Sequence, residues 1–89
     1  MPNEELERLR EEIDRVDAEL VELLNKRLQL VDEIGALKRG QGLPVRDRAR
    51  EEELLARIRA RAGENAAEAE TVYRTLLQIS RARQESRHT

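Results

Sequence analysis

An arginine occupies a position in the first predicted helix where the repeat requires an apolar residue. The other positions along this line, seven residues apart, are apolar: Leu6, Ile13, Leu20 and Ile34. The remaining member of the line is Arg27. A guanidinium buried on an apolar face is costly unless an anion pairs with it. The partner is either an internal carboxylate, such as Glu51 or Asp47, or a bound anionic ligand, and the pattern favours neither.

Two more cations lie on a neighbouring line of the same helix. The members of this line, in order, are Arg10, Asp17, Leu24, Val31 and Lys38. Each cation also has a simpler interpretation as a surface residue. Asp14 is available to pair with Arg10, and the helix dipole favours a cation such as Lys38 near a helix C-terminus. Arg10, Arg27 and Lys38 therefore all border the apolar face of one helix.

Polar residues that could bind a ligand also follow the first helix. They are Asp47, Arg50, Glu51, Ser80 and Gln84. The first three come directly after a proline turn, where Asp47 is well placed to cap a helix. The alternative is a set of donors and acceptors at the mouth of a pocket. Ser80 and Gln84 share one side of a later helix, which is apolar at its start and polar at its end.

The composition excludes several classes of site and partner. The chain has 89 residues, no cysteine and one histidine, His88. We therefore expect no thiolate or His-based metal site and no Cys- or Ser-His-Asp nucleophile. A formal net charge of −2 and a single aromatic residue argue against nucleic-acid binding. No apolar run reaches the length of a membrane span and no signal-peptide pattern is present, which predicts a cytoplasmic protein without a membrane partner.

The spacing of apolar residues predicts an all-α chain of three helices, one long and two shorter, in a single domain over residues 1–89. The predicted helices cover about 4–39, 47–62 and 65–84, and no segment has the pattern of a strand. Glycines and a proline over residues 40–44 break the first helix, and Gly63 ends the second. Asn65 with Glu68 is typical of a capped start for the third.

The length of the first helix has a consequence for assembly. A helix over residues 4–39 is about 54 Å long, whereas a globule of this size has a radius of gyration of about 12 Å. Two shorter helices cannot cover its apolar stripe. We therefore expect an intertwined homodimer in which the long helices pair and the shorter helices cover both ends.

Five short pieces of the sequence together resemble the all-helical class of chorismate mutases. In order, they are Leu9-Arg10-x-x-Ile13-Asp14-x-x-Asp17, Leu23-Leu24-x-x-Arg27, Ile34-Gly35-x-x-Lys38, Pro44-Val45-Arg46-Asp47-x-x-Arg50-Glu51 and Ser80-x-x-x-Gln84. Each piece is weak alone, but their order and spacing match from about Leu6 to Gln84. The chain departs from the family pattern at Gln78, where a glutamate is typical, and in the arginines of its third helix, Arg74, Arg81 and Arg83.

The resemblance implies an isomerase that converts chorismate to prephenate, a step of the shikimate pathway toward phenylalanine and tyrosine. This pericyclic rearrangement is unimolecular and needs no metal, cofactor or nucleophile. It requires that a flexible dicarboxylate be held in a chair-like conformation. It also requires cations and donors that stabilise the negative charge developing on the breaking ether oxygen.

The resemblance also implies a role for each matching residue. Arg27 binds one substrate carboxylate, and Arg10 binds a carboxylate in the site of the partner chain, so that the dimer shares its active sites. Both Lys38 and Gln84 are directed at the ether oxygen. The remaining matches bind or orient the rest of the substrate. Glu51 accepts a hydrogen bond from the ring hydroxyl beside Asp47, Arg50 orients these groups, and Ser80 bonds near a carboxylate.

Two other functions fit the same residues. An isochorismate-pyruvate lyase uses a similar cationic pocket on the same scaffold and makes salicylate. A non-catalytic helical dimerisation module would instead pair Arg27 internally. The product distinguishes the enzymes, and the effect of Arg27→Ala on folding distinguishes the module.

Overall fold

The computed structural model describes residues 3–86, and its regular elements are all helical. Helix α1 covers Glu4–Gln41, α2 covers Arg48–Ala62 and α3 covers Ala66–Ser86. A one-turn 3₁₀ helix, Gly63–Asn65, joins α2 to α3, so that every residue from 48 to 86 lies in a helical element. The predicted all-α class is confirmed, and no strand occurs among the described residues. His88 lies outside them.

The end of α1 differs from the prediction, because the helix continues through Gly40 to Gln41. It stops at Gly42, whose φ of 67° is a left-handed conformation that glycine adopts without a steric penalty. The Gly42 amide donates to the Arg39 carbonyl at 3.3 Å, and the Leu43 amide donates to the Lys38 carbonyl at 2.9 Å. These two bonds form a Schellman motif, which satisfies the last carbonyls of the helix.

Side-chain caps determine where two of the helices begin. At the start of α1, the Asn3 Oδ1 atom accepts a hydrogen bond from the Leu6 amide at 3.1 Å. At the start of α2, the Asp47 Oδ1 atom accepts from the Arg50 amide at 3.0 Å. Each cap satisfies an amide that has no partner inside the helix. The predicted helix start near Asp47 is therefore explained by a cap, and α2 itself begins at Arg48.

The chain divides into two units, which are described separately: residues up to Leu30 and residues from Val31 onward. The first unit is the N-terminal part of α1, and it exposes a row of large apolar side chains. These are Leu6, Leu9, Ile13, Val16, Leu20, Val21, Leu23, Leu24 and Leu30. We call this row the apolar face of α1. Within residues 3–86, no helix combines the length and apolar character that a membrane crossing requires.

The second unit contains the end of α1 together with α2 and α3, and α2 packs against α3. Its buried side chains among the described residues are two apolar ones, Val31 and Leu55, and two polar ones, Ser80 and Gln84. Ser80 and Gln84 thus occupy places in this small core that apolar residues usually fill. At the surface, Arg59 of α2 pairs with Glu70 of α3, and this hydrogen bond lowers the pKa of the Glu70 carboxyl.

A two-pronged ion pair links the end of α1 to α3. The Nε and Nη2 atoms of Arg83 donate to the two carboxylate oxygens of Asp32 at 2.7 and 3.0 Å. The hydrogen bond from Arg83 to Asp32 raises the pKa of the Arg83 guanidinium. Since Arg83 directly precedes Gln84, the pair anchors α3 beside one of the predicted site residues.

Candidate functional site

Lys38 of α1 and Gln84 of α3 meet in the second unit. The Lys38 Nζ atom donates to the Val45 carbonyl at 2.5 Å and to the Gln84 Oε1 atom at 3.3 Å. Gln84 is only 8% exposed, and Lys38 is half-buried. Because the amide oxygen accepts from Lys38, the amide NH₂ of Gln84 is the end that can donate to another molecule. A cation and a neutral donor therefore lie side by side in a place largely screened from water.

A close approach between α1 and α3 fixes the position of Gln84. A Cβ atom added to Gly35 would lie 3.2 Å from Gln84 Cγ and 3.4 Å from Arg39 Nη1. The Arg39 head is the end of a flexible side chain and can move away. Gln84 is buried and bound to Lys38, so any side chain at position 35 displaces it. Gly35 is thus needed for space, and its match to the family motif has a structural reason.

We expect Gly35→Ala to lower kcat/KM for the reaction proposed below about tenfold, because the amide of Gln84 moves by a few tenths of an ångström. Gly40→Ala is the matched control, because it lies in the same helix and has nothing within 4 Å of its added Cβ atom. The control should keep full activity and gain about 0.5 kcal/mol in the free energy of unfolding. Steady-state kinetics and thermal unfolding measure both effects. Equal activity in the two variants would contradict this role of Gly35.

Ser80 lies one helical turn before Gln84 on α3 and is 7% exposed. Its hydroxyl donates to the Leu76 carbonyl of its own helix at 2.7 Å. A hydroxyl can still accept a hydrogen bond while it donates one. Ser80 and Gln84 therefore form the buried polar end of α3 that the sequence pattern predicts.

Glu51 in the first turn of α2 is held by two arginines. Arg81 Nη1 of α3 donates to Glu51 Oε2 at 2.7 Å, and Arg46 Nη2 lies 3.4 Å from Glu51 Oε1. The Glu51 side chain is 15% exposed. The sequence prediction included Glu51 and missed its partner Arg81. The sequence feature that could have indicated it is the position of Arg81 between the two polar residues of α3, one residue after Ser80 and three before Gln84.

Asp47 and Arg50 have structural partners in this chain. The carboxylate of Asp47 caps α2, as described above. The exposed Arg50 guanidinium donates to Glu53 Oε1 at 3.2 Å, on the next turn of the same helix. Both lie within the sequence segment that leads to Glu51. Their direct roles toward a ligand stay predictions.

The two other predicted arginines belong to the first unit. Arg10 is exposed and pairs with Glu7 at 3.0 Å, rather than with Asp14 as its surface interpretation predicts. Arg27 is half-buried on α1. Their roles as carboxylate ligands stay predictions. The described contacts thus bring together Lys38 with Gln84, and Glu51 with its two arginine partners.

Comparison with known proteins identifies the family. Residues 9–85 match the family described as chorismate mutase type II. A bifunctional chorismate mutase/prephenate dehydratase of Aquifex aeolicus is 46% identical over 55 residues, which are 62% of this chain and 15% of that protein. A T-protein of Enterobacter agglomerans is 48% identical over 58 residues, 65% of this chain and 16% of that protein. The chain thus aligns with a small part of these relatives.

A solved structure has the same fold. A conserved hypothetical protein from Pyrococcus furiosus superimposes with a TM-score of 0.77 and is 36% identical. The match covers 93% of this chain and 99% of that one. The family match extends over most of the chain and includes every residue predicted for the site. The chain therefore belongs to the type II, all-helical chorismate mutase family.

Proposed function

We propose that the chain catalyses the rearrangement of chorismate to prephenate, a step toward phenylalanine and tyrosine. The observation that carries the proposal is the pairing of Lys38 with the buried Gln84 in a chain of this family. One residue supplies a positive charge and the other a neutral donor. A pericyclic reaction needs no nucleophile or proton transfer, so such a pair meets its electrostatic requirement.

Lys38 and Gln84 stabilise the ether oxygen as its bond to the ring breaks. A lysine ammonium has three N–H donors. Two of them are directed to Val45 and Gln84, and the third donates to the oxygen. The Gln84 NH₂ donates to the same oxygen from α3. Because negative charge grows on this atom during the reaction, both interactions strengthen toward the transition state and lower the barrier.

The remaining residues hold the substrate in its reactive conformation. Arg27 binds one carboxylate, and Arg10 of a second copy binds a carboxylate, since a guanidinium fork matches a carboxylate in geometry and charge. Glu51 accepts from the ring hydroxyl. The supporting residues are Asp47, Arg50 and Ser80. Restricting a flexible dicarboxylate in this way supplies much of the rate enhancement for a unimolecular reaction.

The proposal includes a homodimer, because Arg10 acts in the site of the other copy. Support comes from the apolar face of α1, whose side chains are 37–60% exposed in the single chain. An exposed apolar face of this length is unusual in a monomer. A second copy presents the same face, and pairing the two buries both.

The test is to incubate the purified chain with chorismate, follow the loss of chorismate by ultraviolet absorbance and identify the product. We expect prephenate. Isochorismate is supplied in parallel, and formation of salicylate and pyruvate from it without prephenate from chorismate would favour the lyase instead. A folded dimer that transforms neither substrate would contradict catalysis by this chain and favour the dimerisation module.

A further inference from the structure

Arg81 binds the residue proposed to recognise the ring hydroxyl of the substrate. Its Nη1 atom lies 2.7 Å from Glu51 Oε2, and this hydrogen bond joins α3 to α2 across 30 residues of sequence. The bond is short and charged at both ends, which places it among the stronger side-chain hydrogen bonds. Glu51 is therefore fixed by a group from the helix that also carries Gln84.

The Glu51–Arg81 pair is more shielded than the other arginine pairs of α2 and α3. The side chains of Glu51 and Arg81 are 15% and 23% exposed. By comparison, Arg74 and Glu70 are 58% and 28% exposed, and Arg50 and Glu53 are 54% and 59% exposed. Water screens exposed pairs, which contribute little to structure or stability. A shielded pair such as this one is able to hold a carboxylate in a defined orientation.

The two oxygens of Glu51 have unequal partners. Oε2 accepts from the shielded Arg81 at 2.7 Å, whereas Oε1 faces the 46% exposed Arg46 at 3.4 Å. A carboxylate oxygen has two acceptor positions. Oε1 therefore keeps the greater freedom to accept a hydrogen bond from a ligand, while Oε2 anchors the group.

We propose that Arg81 is a positioning residue that holds the Glu51 carboxylate so that its Oε1 atom accepts the ring hydroxyl of chorismate. This inference rests on the proposed function and adds a residue to its site. Arg81 itself does not touch the substrate. Its effect passes through Glu51, and it therefore contributes to recognition of the hydroxyl rather than to stabilisation of the ether oxygen.

The test compares Arg81→Met with Arg74→Met, which removes an arginine from the same helix and from a different carboxylate. The hydroxyl hydrogen bond exists in the ground state and in the transition state alike, so its loss affects binding. We expect Arg81→Met to raise KM about tenfold with kcat changed less than about twofold. Arg74→Met should leave both constants unchanged. Arg81→Lys keeps the charge without the planar fork, and its KM should lie between that of the wild type and that of Arg81→Met.

A double-mutant cycle with Glu51→Ala shows whether Arg81 acts through Glu51. In the Glu51→Ala background, Arg81→Met should raise KM by less than about twofold, since the carboxylate to which Arg81 donates is already absent. An equal rise in both backgrounds would overturn the inference. The inference would also be overturned if Arg81→Met left KM unchanged and lowered kcat only in proportion to the folded fraction measured by circular dichroism.

A wild-type chain that forms no prephenate would overturn the proposed function, and the inference with it. An active wild type with an unaffected Arg81→Met variant would overturn the inference alone.

Discussion

Lys38→Ala is expected to lower kcat for the conversion of chorismate to prephenate about a thousandfold or more, while the protein stays folded. The substitution removes the positive charge proposed to face the ether oxygen, and it removes the donor to the Gln84 amide oxygen. Since the charge on that oxygen appears only during the reaction, the loss should fall on kcat more than on KM. Steady-state kinetics from the absorbance of chorismate measure both constants.

The second lysine of the chain provides the control. Lys26 is exposed, and Lys26→Ala should retain wild-type kinetics. Lys38 also donates to the Val45 carbonyl, so its loss removes a hydrogen bond to the connection between α1 and α2. Lys38→Met keeps the aliphatic part of the side chain and should be as inactive as Lys38→Ala. Near-normal turnover by either Lys38 variant, confirmed as folded by circular dichroism, would remove Lys38 from the mechanism.

Mixing two inactive variants is expected to restore activity if the dimer shares its sites. Arg10→Ala and Arg27→Ala each remove a proposed ligand of a substrate carboxylate, and each variant alone should lose most of its activity. In a heterodimer of the two, one site contains both substitutions and the other contains neither. Random exchange of subunits forms heterodimers in half of the molecules, so about a quarter of wild-type activity should return.

The mixture is prepared by unfolding the two variants together and refolding them, with each variant refolded alone as the control. Differently tagged chains and sequential affinity capture show whether heterodimers form. Heterodimers without activity would mean that Arg10 and Arg27 serve one site from the same chain, which would contradict the shared site. A monomer at assay concentrations would contradict the shared site directly.

Most of the helical fold could be predicted from local patterns. Apolar residues at steps of three and four define α1, and the Asp47 cap and the Gly63 turn are visible in the sequence as residue types with known preferences. The break after the first helix was harder to place. Gly40 and Gly42 are equally good stops by composition, and only the left-handed φ of Gly42 distinguishes them.

The site could be predicted only in part, because side-chain pairing depends on how helices pack. Lys38 and Gln84 were recognised from motif spacing, yet nothing local shows that a lysine donor would reach an amide 46 residues away. The same holds for Glu51 with Arg81 and for Asp32 with Arg83. Each pair joins residues of two different helices, and no periodicity within a single helix encodes it.

The Schellman motif at Gly42 affects where this chain can accept inserted residues. Surface connections usually accept inserted residues at small cost, because closing a longer loop is only slightly less favourable. The connection between α1 and α2 is different, since its Leu43 amide is bound to the Lys38 main chain and its Val45 carbonyl to the Lys38 side chain. An insertion there would displace the lysine itself. Fusion partners, tags and natural length variation are therefore better accommodated elsewhere on this scaffold than in the connection between α1 and α2.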